Sequence, residues 1–197
     1  MKFRYLTASA ILALSALTAT QASAQSVTGT VNLHGTVAPR CGSTFNGDTT
    51  FSGTINLGEL TGANGAILPG LAASSSNSPG GVADFFVGCS STRFNVTMSA
   101  TRLVNPASVP APPGSATIDY TAETKIAKAE GGFSFATYTT AATLPPPSVT
   151  LVNGAVSAVA GNFQVRVYAL HPDNGDASIM LAGAYDGVIS ILVAPAP

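Results

Sequence analysis

Side-chain character alternates with period two almost everywhere after the first two dozen residues, and that constrains the fold more than any motif. Val27, Gly29, Val31, Leu33, Gly35 and Val37 fall on one side of an extended chain, while Thr28, Thr30, Asn32, His34 and Thr36 fall on the other. Successive residues of a strand point to opposite faces, so this is the pattern of a strand with one face to bury. Pro39 interrupts the ladder just before Cys41. Further strands are expected at Thr50–Leu57, Ala83–Gly88, Phe94–Ala100, Ser115–Ile126, Val149–Leu151, Gly161–Tyr168 and Tyr185–Val193.

Turn chemistry separates these runs: Asn46-Gly47-Asp48, the proline-rich stretch 105–114, Pro145-Pro146-Pro147, Asn153-Gly154 and Asp173-Asn174-Gly175-Asp176. No segment sustains a 3.6-residue period. The Ala/Gly/Ser-rich stretch 58–80 has room for a short helical turn and otherwise reads as a loop. About eight short strands with turns between them predict an all-β, antiparallel β-sandwich. No repeat of fixed period points instead to a solenoid or propeller.

The front of the chain has a different logic. Lys2 and Arg4 precede an apolar run from Ala10 to Leu17, and Ala22-Ser23-Ala24 follows. That is the layout of a secretory signal peptide, 1–24, with cleavage expected before Gln25 and one domain over 25–197. The apolar run is too short to span a bilayer, which takes about 20 residues. The expected location is therefore outside the cytoplasm, with no membrane insertion of the mature chain.

Losing Lys2 and Arg4 takes two of the eight basic residues and leaves the nine acidic ones, so the mature chain is net acidic. Such a chain has no long-range attraction for nucleic acid or anionic membrane. Charged residues are 9% of the whole, with Ser, Thr, Asn and Gly as the polar content; a typical domain is about 25% charged. Two cysteines in an exported chain most simply form one disulfide, Cys41 with Cys89. In the chain-entropy model such a bridge contributes roughly 4 kcal/mol.

Catalytic chemistry finds little to stand on. The two histidines, His34 and His171, read as solvated strand or loop residues, and no nucleophile elbow is present. Asp173 and Asp176 lack the remaining ligands of a calcium loop and read as a hairpin turn around Asn174-Gly175. The other carboxylates are scattered, and two cysteines are too few for a structural zinc site. Asn95-Val96-Thr97 matches an N-glycosylation sequon but reads as strand alternation. Phe133, Phe135 and Tyr138 read as core and edge residues rather than a sugar platform. Neither catalytic residues nor a metal or cofactor site is expected.

The strand containing Gly35, then Cys41, then Thr54-Ile55-Asn56-Leu57-Gly58, then Phe85-Phe86-Val87-Gly88-Cys89, resembles the N-terminal half of fimbrial subunits (pilins) of the chaperone–usher type. The run from Ala182 to Val193, with Tyr185, Ile189, Ile191 and Val193 in alternation, resembles the last strand of those pilins and of the related spore coat protein U group. It departs from their usual ending at Gly187, where an acidic residue is common, and in continuing through Ala194-Pro195-Ala196-Pro197.

The resemblance implies an immunoglobulin-like sandwich lacking one strand, completed by donor-strand exchange. A periplasmic chaperone would supply the strand first, then, at an outer-membrane usher, the N-terminal extension of another subunit. Residues 25–33 would be the donor, presenting Val27, Gly29, Val31 and Leu33. The protein would then be a structural subunit of a surface pilus, fimbrium or coat, supporting adhesion or biofilm formation. The alternative is a self-complete secreted sandwich binding a surface glycan through loops 58–80 or 105–114.

Overall fold

The computed structural model describes residues 32–44, 48–73, 75–107, 114–141, 145–175 and 178–196. The chain divides into two compact units, one ending at Thr36 and one beginning at Val37. In the first, Asn32–Thr36 are exposed and adopt no regular element. The expected signal peptide, Val27, Gly29 and Val31 lie outside the described residues.

The second unit contains, in chain order, β1 (Cys41–Gly42), α1 (Pro69–Ala72), β2 (Gly81–Phe85), β3 (Gly88–Cys89), β4 (Arg93–Ala100), β5 (Leu103–Val104), β6 (Gly114–Ser115), β7 (Thr117–Ala127), β8 (Phe133–Thr139), β9 (Ser148–Asn153), β10 (Phe163–Pro172), β11 (Ile179–Met180) and β12 (Ile189–Pro195). One sheet runs β2-β10-β7-β5, with β8 also paired to β7; another runs β12-β4-β9. Both are antiparallel. Two short pairs complete the set, antiparallel β1-β3 and parallel β6-β11.

The expected all-β, antiparallel architecture is what the chain adopts. Phe94, Val96 and Met98 of β4 are buried in alternation with half-buried polar neighbours. Ile118, Tyr120, Ala122 and Ile126 of β7, with Phe163, Val165 and Val167 of β10, meet them in one core cluster. The inward faces of the two larger sheets thus share a core, as in a β-sandwich. Cys41 and Cys89 stand opposite each other in the β1-β3 pair and are disulfide-bonded, with Cα atoms 4.1 Å apart.

Four expectations need correction. Residues 32–37 form no strand: Asn32–Arg40 are exposed and unassigned, since alternation of side chains does not by itself supply a partner for the backbone. Residues 51–57 alternate as expected, yet make no ladder. The last strand starts at Ile189, not at Tyr185. No hairpin forms at Asp173-Asn174-Gly175; Gly175 takes a left-handed φ of 98° in a turn, and the chain continues to β11, which pairs with β6 rather than folding back on β10. The short helical turn allowed within 58–80 is α1, with a proline in its first turn and Leu71 buried beneath it.

Candidate functional site

Residues 51–60 build one wall of an open groove. Phe51, Ile55, Leu57 and Leu60 are half-buried against the core, while Ser52, Thr54 and Asn56 face water. The segment lies close over β2: a Cβ on Gly53 would sit 2.8 Å from the Phe85 ring, and one on Gly81 would run into Ile55 and Leu57. Asn56 Oδ1 accepts a hydrogen bond from the Gly58 amide at 2.9 Å, and Gly58, at φ 69°, turns the chain out of its extended path. The Leu68 amide then ties back to the Leu60 carbonyl at 3.0 Å.

Residues 181–191 build the other wall. The Tyr185 hydroxyl donates to Leu181 O at 2.8 Å, with Ser115 O at 3.1 Å, and Asn105 Nδ2 donates to Ala182 O at 3.0 Å. Asp186 and Val104 exchange backbone hydrogen bonds of 2.9 and 3.1 Å. A Cβ on Gly187 would sit 2.9 Å from Arg102 O, so the chain can pass there only without a side chain. Beyond it β12 hydrogen-bonds to β4 on one side; on its groove side no described strand pairs with it.

Between these walls lies a cavity of about 950 Å³ whose floor includes Ala83, Phe85, Leu103, Tyr120, Val165 and Val167. It lies over the inward face of the β2-β10-β7 sheet, where Ala83 and Phe85 are half-buried and Tyr120, Val165 and Val167 are buried. The walls run in opposite directions. Phe51 packs on Phe163 and Leu57 lies against Gly81, at the other end of β2, whereas Gly187, just before β12, lies against Leu103 and Pro195, at its far end, stands opposite Phe94. The gap is flanked by an extended segment without a ladder and by a strand edge, and is floored by apolar side chains.

The groove is electrically sparse. Its charged lining residues are Glu59 and Asp186. Burial, with a lesser contribution from the Tyr138 phenol, pushes the Tyr120 phenol up to about 12. Burial also raises Tyr185 against its hydrogen bonds. Both phenols are therefore neutral at physiological pH.

Of the residues singled out in the sequence, Tyr185, Ile189 and Ile191 line the groove, and Val193 packs on the core just beyond it. Leu33 is described and 94% exposed, with Val37 close behind at 85%. Phe133 and Phe135 are exposed neighbours on β8, whereas Tyr138 is buried. His171 lies in β10, opposite Asp119, and is exposed. The wall residues Phe51, Ile55 and Leu57 were visible as an alternating run; their lack of a partner was not, because periodicity records which side is buried and not what pairs alongside. Among the described residues no group of three or more His, Cys, Asp or Glu could hold a metal ion, and no helix is long and apolar enough to cross a membrane.

No protein-family model, curated protein or solved structure matches the chain.

Proposed function

We propose that this chain is an exported structural subunit of a surface pilus or coat, of the chaperone–usher pilin kind. Its groove takes a β-strand from another copy. The observation that carries the reading is the groove itself: a slot floored by apolar side chains between residues 51–60 and β12, in a chain that also carries an alternating N-terminal segment. A strand laid antiparallel to β12 would continue the β12-β4-β9 sheet and lie over the floor, in the place of the last strand of an immunoglobulin-like sandwich. Each large apolar side chain so buried contributes about 1.5–3 kcal/mol, and the backbone bonds of the added strand fix its position.

A second copy can enter the groove antiparallel to β12. Antiparallel pairing is slightly more stable per residue. Donor and acceptor on one chain make a head-to-tail contact that does not close on itself, and such contacts propagate as filaments. In transit, a periplasmic chaperone would cover the same groove.

The exposed Leu33 and Val37 fit this role, since a bare apolar segment is an aggregation liability unless something covers it. Hydrogen exchange on amides 27–37 tests it. Little protection in dilute monomer and strong protection after concentration supports strand exchange. Full protection in the monomer would mean that the segment completes its own sheet and would sink the reading. Removing residues 25–33 should abolish concentration-dependent oligomers.

A further inference from the structure

The groove has a chemical direction. Glu59 and Asp186, its charged lining residues, both stand toward the end where β12 begins, while the other end carries the Phe51 and Phe85 rings, 4.9 Å apart. Both carboxylates are exposed, and neither forms an ion pair among the described residues. The Glu59 carboxylate is held by the Thr61 hydroxyl at 3.3 Å, and Asp186 stands on backbone fixed to Val104. Arg102, whose carbonyl lies behind Gly187, has its guanidinium engaged by Asp119 at 2.9 Å and faced by Asp173 at 3.9 Å. The acidic end is left without a cation of its own.

The N-terminal segment supplies the complement. From Gln25 to Pro39 it has no carboxylate and one side chain that can carry positive charge, His34, directly after Leu33; Arg40 is the next cation. The stretch Val27–Leu33 matches the length of β12, Ile189–Pro195. Directly opposed residues of an antiparallel pair point to the same face, so the inward residues of one must meet the inward residues of the other.

Resting on the strand-exchange reading above, the geometry points to one register. The incoming copy's Leu33 lies opposite Ile189, Val31 opposite Ile191 and Gly29 opposite Val193, which sets His34 at the acidic mouth formed by Glu59 and Asp186. His34 then stands opposite Val188 and diagonal to Asp186, a separation that long and aromatic side chains can bridge. Gly29 falls at the aromatic end, where Phe51 and Phe85 stand. On the outward side, where His34 points, stand Glu59 from one wall and Asp186 from the other, with the Arg102, Asp119 and Asp173 cluster behind; the phenols of Tyr185 and Tyr120 belong to the inward side. Their balance is negative, the complement of a cation. Histidine changes charge between about pH 5 and 8, so the joint between copies tightens as pH falls through that range.

The test uses the whole chain from Gln25 onward, assembling at about pH 8 and about pH 6 and followed by sedimentation. Exposed pairs of this kind are weak, so the expected tightening at the lower pH is roughly two- to fivefold. It should vanish in His34→Gln and in the double variant Glu59→Gln, Asp186→Asn. Independently, Leu33→Cys with Ile189→Cys should form an intermolecular disulfide, and Leu33→Cys with Val193→Cys should not. A pH difference that survives His34→Gln, or cross-links in a shifted register, overturns this register while leaving strand exchange intact. Polymers that show no cross-link between the segment and β12 in any register overturn both.

Discussion

Ile55 lies so close over Gly81 that the glycine has no room for a side chain: an added Cβ would meet both Ile55 and Leu57. Gly81 opens β2, and Ile55 belongs to the unpaired wall of the groove. The wall is therefore held by contact with β2 and not by a ladder. Gly81→Val should push residues 53–57 off the sheet and cost about 1–3 kcal/mol, the range for overpacking, as read by urea denaturation. Because the displaced segment is one side of the groove, oligomer formation should fall with it.

The disulfide closes a sequence separation of 48 residues. Replacing Cys41 and Cys89 together by serine should cost up to about 4 kcal/mol on the chain-entropy account. The check is the shift in denaturation midpoint of the double variant, compared with wild type in the presence and absence of reductant; reductant should not move the variant.

Glu123 offers a pH signature in the body of the fold. Its side chain is nearly buried on β7, opposite Arg166 of β10, with Arg166 Nη1 3.7 Å from Oε1. Burial raises its pKa, and the charges of Arg166 and Lys125, with a hydrogen bond to Tyr168, only partly oppose the rise. A carboxyl whose folded pKa exceeds its unfolded one favours the fold while protonated. That stability is fully present below the unfolded value, about 4.3, and is lost as pH rises through the folded value. Glu123→Gln should remove this fall from the stability–pH curve measured by denaturation across the acid range.

Arg102 grips Asp119 through two parallel hydrogen bonds, Nε to Oδ1 and Nη2 to Oδ2, both 2.9 Å, and Asp119 is almost fully buried. Asp173 belongs to the same cluster, accepting from the Ser115 hydroxyl at 2.6 Å. Arg102→Ala strips the cation from a buried carboxylate and should cost about 2–4 kcal/mol. Lysine should rescue little, since a point charge cannot reproduce the fork. Thermal unfolding of both variants checks this.

Strands paired on both sides, and the edge strand β9, were legible in the sequence. β4 and β7 lie within a residue or two of their expected bounds, and β10 runs on from Tyr168 to Pro172 through an irregularity at Ala169, which sits at φ 55°. There burial and pairing coincide, so alternation reports both. At residues 51–57 they separate, and the pattern reports only burial. β8 was missed: its exposed Phe133 and Phe135 and buried Ala136 and Tyr138 invert the usual size order, so no apolar stripe marks it. At Tyr185 the alternation is real, but Gly183 and Gly187 press against Asn105 and Arg102, and the chain joins the β4 ladder only after that approach. Long-range choices of this kind, including the parallel pairing of β11 with β6, have no local signal.

The placing of the disulfide has a mechanical consequence. Any tension carried by the segment before Arg40 enters the body at Cys41, in a two-residue strand that two opposed pairs would hold poorly against peeling. The covalent bridge passes that load to Cys89 and on into β4, the central strand of the sheet beside the groove. Force applied at the segment is thus shared along two neighbouring strands at once, and the β1-β3 pair is spared from opening first.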